Sequence, residues 1–311
     1  MAELSRRLAK LSPEKRKLFE RWLVDAAQTR RVDTASGTAM AILETTHTLS
    51  PHKLECRRFY DEISRSLDAS EFGPFSLFLN LGYADAAGNP SYSVIALPER
   101  SLNRNSIRLV LEVIGPCDLA GRRVLDVGSG RGGTASVIAE FFKPHSVCGV
   151  DIAPAAIQFC RTHYRQPEIR FEVGDAERLP FADGSFDIVT NIESSSTYPD
   201  VCAFYQQVFR LLEPGGFFLY TDALPAGRFA ECTEYLRRLG FILELDRDIT
   251  ANVLASCDEI AAHRMHAYAP QPDGSMADFL AAPGSHIYDE MKRREWMYRI
   301  HRWKKTARLA G

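Results

Sequence analysis

No stretch of this chain stays apolar for the roughly 18 residues that a membrane-spanning helix requires, so the sequence predicts no span. Neither sign of charge dominates, with 38 Lys and Arg against 40 Asp and Glu. That balance removes the usual electrostatic reason to expect a nucleic-acid partner or an anionic membrane surface. The seven cysteines (Cys56, Cys117, Cys148, Cys160, Cys202, Cys232 and Cys257) are odd in number, scattered, and form no C-x-x-C pair. They read as reduced, mostly buried thiols of a cytoplasmic protein. The opening MAELSRRLAKLSPEKRKLF is basic but has no apolar run behind it, which argues against a secretory signal. Internal repeats and low-complexity segments are missing too. What is present is 311 residues, 45% of them hydrophobic, enough for one large domain or a domain with an appendage.

Ser12-Pro13-Glu14 starts a helix, with Ser as cap and Pro in the first turn. Leu18, Phe19, Trp22, Leu23 and Ala26 share one face of the amphipathic helix expected over 13–27. Residues 29–50, rich in Thr, Ser and Ala without period, read as a linker. Beyond Cys56 the chain reads as globular, with helical runs around 59–67 and 104–114 on either side of the aromatic stretch FGPFSLFLNLGYAD. From Arg122 onward, strands expected at 124–127, 146–150, 170–173, 186–191 and 217–222 alternate with helices at 134–142, 153–165 and 201–212, and a further helix follows at 227–239. This alternation predicts an α/β fold, a doubly wound, mostly parallel sheet with helices on both faces. Two further strands, at 241–246 and 298–303, flank a mostly helical insertion. The expected division is an N-terminal helix and linker (1–55), a helical lid (56–121) and a core (122–311) with a cap inserted at about 250–295.

The stretch VLDVGSGRGG, 124–133, places an apolar run and an acid before a glycine-rich turn into a helix. Glycine there lets backbone approach a ligand closely, with helix N–H groups pointing at it. The pattern alone is shared by several nucleotide binders. Ligands of doubly wound sheets sit beyond the carboxyl ends of the strands, so those ends narrow the choice. Asp126 closes the first strand, and Asp151 closes the second, where an acid can accept hydrogen bonds from both ribose hydroxyls. Gly174-Asp175-Ala176 forms a small-acidic-small corner suited to an exocyclic amino group, and Asn191-Ile192-Glu193 ends the fourth strand.

VLDVGSGRGG, VCGVDI, VGDAERLPFADGSFDIV and RLLEPGGFFLYTD, occurring in this order, resemble the class I S-adenosylmethionine-dependent methyltransferases. The resemblance implies a Rossmann-like fold with an N-terminal helical lid and a helical cap insertion, and S-adenosylmethionine as cofactor. It implies that Asp126, Gly128 and Gly130 border the amino acid part of the cofactor, with Asn191 nearby on the fourth strand end. Asp151 would hold the ribose, Ile152 would pack on adenine or simply in the core, and Asp175 with Ala176 would receive the adenine amino edge. The upstream FYDEIS and FLNLGYAD stretches resemble the lid of small-molecule and lipid methyltransferases, nominating Tyr60 and Tyr83 as residues closing over the cofactor.

A narrower resemblance runs through LNRNSIRLVLEVIG, NIESSSTYPD, DITANVLAS and FLAAPGSHIYDEM. These look like the O-methyltransferases of polyketide and nonribosomal peptide assembly, and like relatives that modify complex lipids. LSPEKRKLFERWL is similar to linker helices of those assembly lines. The resemblance implies methylation of a hydroxyl on a small-molecule acceptor, with an acyl or peptidyl carrier protein as a partner if the acceptor is tethered. Methylation of nitrogen or carbon on a free small molecule, or a cofactor-binding subunit without turnover, are the alternatives. An aliphatic hydroxyl must lose its proton, which asks for a general base. Glu193, just past the fourth strand, is the best-placed acid. The related segments often read E-S-S-H-x-Y, but this chain has Ser196 where that histidine would stand. His263 and His266 in AAHRMHAY, spaced to share a helix face, are the substitutes the sequence offers. Without a clear carboxylate partner set they do not make a metal site.

Overall fold

The computed structural model describes residues 49–70, 73–99, 101–268 and 275–306, with backbone alone for 261–268 and 275–276. The helix expected over 13–27 and nearly all of the 29–50 segment lie outside the described residues. The first described helix, α1 (Pro51–Asp68), starts earlier than its apolar spacing suggests because Ser50 caps it and Pro51 fills its first position. The expected boundary between 55 and 56 therefore falls inside one continuous helix. α2 (Arg104–Ile114) follows the lid loop and ends at Gly115, which has positive φ.

The core then alternates as β1 (Arg123–Val127), α3 (Gly133–Phe142), β2 (Ser146–Asp151), α4 (Pro154–His163), β3 (Ile169–Val173), β4 (Phe186–Ile192), α5 (Val201–Leu211), β5 (Leu212–Pro225), α6 (Ala226–Leu239) and β6 (Phe241–Asp248). Three cap helices, α7 (Thr250–Tyr268), α8 (Ser275–Phe279) and α9 (His286–Lys292), precede β7 (Trp296–Lys305). The seven strands order as β3-β2-β1-β4-β5-β7-β6. β1 to β5 pair in parallel, while β7 runs antiparallel between β5 and β6.

Strand periodicity sends neighbouring residues to opposite faces. Val124, Ile188, Leu219 and Ile300 join one core with α2, α3, α4 and α7. Leu125, Val189, Phe218 and Trp303 join the other, with α5 and α6. Both faces of the central strands are covered, which explains their near-continuous apolar runs. The order reverses between β1 and β4, so the crevice opens at the carboxyl ends of those strands, where the singled-out residues stand. No helix among the described residues is long and apolar enough to cross a membrane.

Candidate active site

The glycine turn after β1 is shaped by close approach. Gly128 has φ +74°, and a Cβ there would meet Ser194 Oγ at 2.0 Å and Ser194 Cβ at 2.4 Å. The loop after β4 thus rests directly on the β1 turn, and only glycine fits. Gly130 has φ +51°, but a Cβ on it would meet nothing within 4 Å, because it faces the cleft. The Gly130 N–H donates to Asp151 Oδ2 at 2.8 Å, and Ala153 N–H donates to Oδ1 at 2.9 Å. Each oxygen keeps a lone pair for a further donor. Burial raises the Asp151 pKa, opposed by these amide donors.

Tyr60, Gly128, Gly130, Asp151, Ile152, Asp175, Ala176 and Glu193 line one cleft. Asp126 and Asn191 lie beneath its glycine floor and do not line it. Asp126 Oδ1 accepts from the Thr190 hydroxyl at 2.7 Å, and Asn191 Nδ2 donates to Val127 O at 2.9 Å. Burial pushes the Asp126 carboxyl up to about 7 against that hydroxyl donor. Asp126 Oδ2, Ser129 Oγ and Asn191 Oδ1 are buried without a partner among the described residues. Unsatisfied acceptors under an open glycine turn suit a ligand that brings N–H donors.

Tyr83 stands elsewhere. Its ring is wholly buried, its hydroxyl donates to Asn89 O at 3.3 Å and accepts from Arg247 Nη2 at 2.7 Å. Arg247 also pairs with buried Glu112 at 2.6 Å. The expected lid tyrosine is therefore a prop of the 81–93 loop, drawn off the cleft by a guanidinium from β6. His263 and His266 lie on α7, and their side chains fall outside the described residues.

The lid is tied down over the cleft by residues the sequence reading did not single out. Arg131, 1% exposed, donates to Ser76 O, Ser64 Oγ and Gly73 O at 2.8, 2.8 and 2.9 Å and pairs with Asp68 at 2.8 Å. Asp61 Oδ1 accepts from Ala155 N–H at 2.7 Å, joining α1 to the start of α4. Lys53 Nζ reaches Asp175 Oδ2 at 2.6 Å and Glu177 Oε2 at 2.5 Å, closing α1 over the Asp175 corner.

A second cavity of about 220 Å³ adjoins the cleft and shares Tyr60, Glu193, Thr197 and Phe279 with it. Its wall is largely apolar, including Leu81, Val201, Leu224, Ile287 and Trp296. Glu193 adopts φ +53° at the junction. Its Oε1 accepts from Leu81 N–H at 2.6 Å and from the Tyr298 hydroxyl, joining lid, β4 and β7. Asp222 Oδ2 accepts from Ser195 Oγ and from Ser196 N–H, each at 2.8 Å, and so shapes the 194–197 loop. Burial pushes the Asp222 carboxyl up to about 6 against those donors. His52, from α1, also lines this cavity. Ser50-Pro51 was the available signal for α1, repeating the Ser-Pro start at 12–13.

The chain's comparisons with known proteins agree with this geometry. Residues 125–220 match the family model described as a methyltransferase domain. The chain is 33% identical over 233 residues to a fatty-acid O-methyltransferase of Mycolicibacterium smegmatis, covering 74% of this chain and 84% of that protein. It is 36% identical over 200 residues to a probable phthiotriol/phenolphthiotriol dimycocerosates methyltransferase of Mycobacterium ulcerans, covering 64% of this chain and 75% of the relative. Among solved structures, geranyl diphosphate C-methyltransferase from Streptomyces coelicolor, in complex with S-adenosyl-L-homocysteine, superposes with a TM-score of 0.61 at 17% identity, covering 83% of this chain and 99% of that one. The doubly wound, mostly parallel sheet is the one expected from the sequence resemblance, and the chain belongs to the class I S-adenosylmethionine-dependent methyltransferases.

Proposed function

We propose that the protein transfers the methyl group of S-adenosylmethionine to an oxygen of an apolar, lipid- or polyketide-type acceptor. The observation that carries this reading is the apolar cavity meeting the cofactor cleft at Tyr60, Glu193, Thr197 and Phe279. The two curated relatives, named for a fatty acid and for phthiotriol dimycocerosates, support an acceptor of that class.

When bound, S-adenosylmethionine supplies a methyl group on a sulfonium, an electrophile that needs in-line approach and dry surroundings. The chain's residues provide the alignment. Asp151 holds the ribose, Asp175 and Ala176 take the adenine edge, and the turn at Gly128 and Gly130 receives the amino acid end. Tyr60 and Phe279, with ring centroids 6.4 Å apart, roof the junction and keep water out. Glu193 orients that junction through its bonds to the lid and β7.

Incubation with S-adenosylmethionine and a series of acceptors tests the reading: long-chain alcohols, long-chain acids, amines, and the same acyl chains on a carrier protein. We expect an added methyl on oxygen, located by mass fragmentation. A methyl on nitrogen or carbon would replace the oxygen assignment, and cofactor binding without turnover on any acceptor would sink it.

A further inference from the structure

We propose that His52 is the catalytic base of the acceptor cavity and that the acceptor offers it a neutral hydroxyl, not a carboxylate. The proposal rests on the oxygen-methylation reading above and deepens it. His52 is the second residue of α1, is 5% exposed, and lines the acceptor cavity. Its Nε2 lies 3.2 Å from the carbonyl oxygen of Thr197. A carbonyl only accepts, so Nε2 carries the hydrogen, and the neutral ring then has its lone pair on Nδ1. Nδ1 is buried and has no hydrogen-bond partner among the described residues. An acceptor nitrogen left bare in a buried site costs free energy until a donor arrives. A hydroxyl entering the cavity that His52 lines would supply the missing donor once the ring's Nδ1 edge is uncovered.

The position is also apt. The ring is bonded to the backbone of residue 197, next to Ser196, whose hydroxyl cannot take a proton at neutral pH. α1 therefore brings an imidazole to the very loop that lacks one. Of the titratable groups around it, Cys56 Sγ sits 3.7 Å from Nε2 and stays a thiol, since burial pushes its pKa up to about 12. Tyr60, Glu193, Tyr205, Asp222, Arg228, Cys232 and Asp278 complete the cavity's titratable and charged lining. Three carboxyl groups against one guanidinium, itself paired with Glu231 at 2.5 Å, disfavour an anionic acceptor.

The step balances. The acceptor proton moves to Nδ1 while the oxygen lone pair forms the new bond to the methyl carbon. The electron pair of the breaking carbon–sulfur bond stays on sulfur, leaving S-adenosylhomocysteine. His52, now protonated on both nitrogens, keeps its bond to Thr197 O and later gives one proton to water.

The test uses the full-length protein, a long-chain secondary alcohol and the matching fatty acid. Wild type should methylate the alcohol in preference to the acid. His52→Gln keeps an N–H for Thr197 but has no base, and should lower kcat by about 10²–10⁴-fold with calorimetric S-adenosylmethionine affinity unchanged. Free imidazole should partly restore His52→Ala. Nitrogen-15 NMR of histidine-labelled protein, recorded without cofactor, gives a reading independent of turnover. The His52 ring should be the Nε2–H tautomer, and Nδ1 should shift when the alcohol is added. An Nδ1–H tautomer, or His52→Gln turning over within threefold of wild type, would overturn the base assignment, and preference for the acid would overturn the acceptor class. If wild type methylates no oxygen at all, the function reading fails on its own terms, while the tautomer still judges His52.

Discussion

The floor of the active site and its roof are built by different means. On the floor, backbone does the positioning: the lining acids stand at or just beyond strand ends, and the parallel register of β1 with β2 and β4 sets where those ends fall. Asp126, Gly128, Gly130, Asp151, Asp175 and Glu193 come from one continuous stretch between β1 and the end of β4. The roof is a convergence of side chains from α1, the lid loop at Leu81, the loop after β4, α5, the end of β5, α6, α8, α9 and β7. The floor needs a motif, whereas the roof needs only suitable shape and polarity from segments far apart in sequence. That difference is why the donor is legible in such a protein and the acceptor much less so.

Substitutions within the glycine turn should sharpen the contrast most. Gly128→Ala combines a left-handed backbone with a Cβ inside the Ser194 side chain. Strain and overpacking each cost about 1–3 kcal/mol, so cofactor affinity should fall by at least ~30-fold and the melting temperature with it. Gly130→Ala meets no protein atom and carries only the left-handed backbone strain, so it should lose less stability than Gly128→Ala while the cofactor is still obstructed. Equal destabilisation of the two variants in thermal melts would mean that close packing is not what sets the turn.

The buried acids of the floor make a pH prediction. The Asp126 carboxyl is raised by burial from 3.8 to about 7. The folded state therefore holds its proton more tightly than the unfolded chain does. Its contribution to stability is complete below the unfolded value and is lost as pH climbs through about 7, by on the order of a few kcal/mol. Asp222, raised to about 6, acts in the same direction. Urea unfolding at pH 4.5 and 7.5 without cofactor should show this loss, and Asp126→Asn should flatten it. A variant as pH-sensitive as wild type would show that the proton is taken up elsewhere.

Asp151→Ala comes next in size. Charge-assisted hydrogen bonds in a partly dry cleft are worth roughly 1.5–3 kcal/mol, so S-adenosylmethionine should bind about tenfold to a hundredfold more weakly. Unchanged affinity by calorimetry in a folded variant would remove the ribose assignment.

What was legible in the sequence follows the same division. Strand candidates for β1 to β4 fall within one residue of the observed bounds, because buried parallel strands are short apolar runs between turn residues. β5 begins earlier than expected, at Leu212, since its Pro-Gly-Gly stretch reads locally as a turn. The cleft-lining acids Asp151, Asp175 and Glu193 stand at or just past strand ends, where the sequence could single them out. Tyr83 misled because an aromatic residue in a lid-like stretch says nothing about its partner, and Arg247 lies 164 residues away. His52 and Lys53 were hidden because they stand at the edge of a segment whose composition suggests a linker. Nothing local in the sequence announces that an imidazole will meet Thr197 across 145 residues.

The smallest expected effect tests whether floor and roof are separable at all. Lys53 of α1 bridges the two acids that follow β3, Asp175 and Glu177. Its pKa is set by burial, which lowers it, against those two carboxylates, which together raise it. Lys53→Met removes the clasp but keeps the apolar stem. Asp175 still accepts from Glu177 N–H at 3.0 Å, so the corner should hold its shape. The remaining anchors of α1, at Arg131 and Asp61, are untouched. Partly exposed ion pairs contribute about 0–1 kcal/mol, so cofactor affinity should change by less than ~10-fold. Hydrogen exchange should nonetheless quicken in the first turns of α1, where Lys53 shares the tethering with the His52–Thr197 bond. If Lys53→Met instead loses the cofactor as fully as Asp151→Ala, the start of α1 is part of the donor site, and the division between a backbone-built floor and a side-chain-built roof fails at that edge.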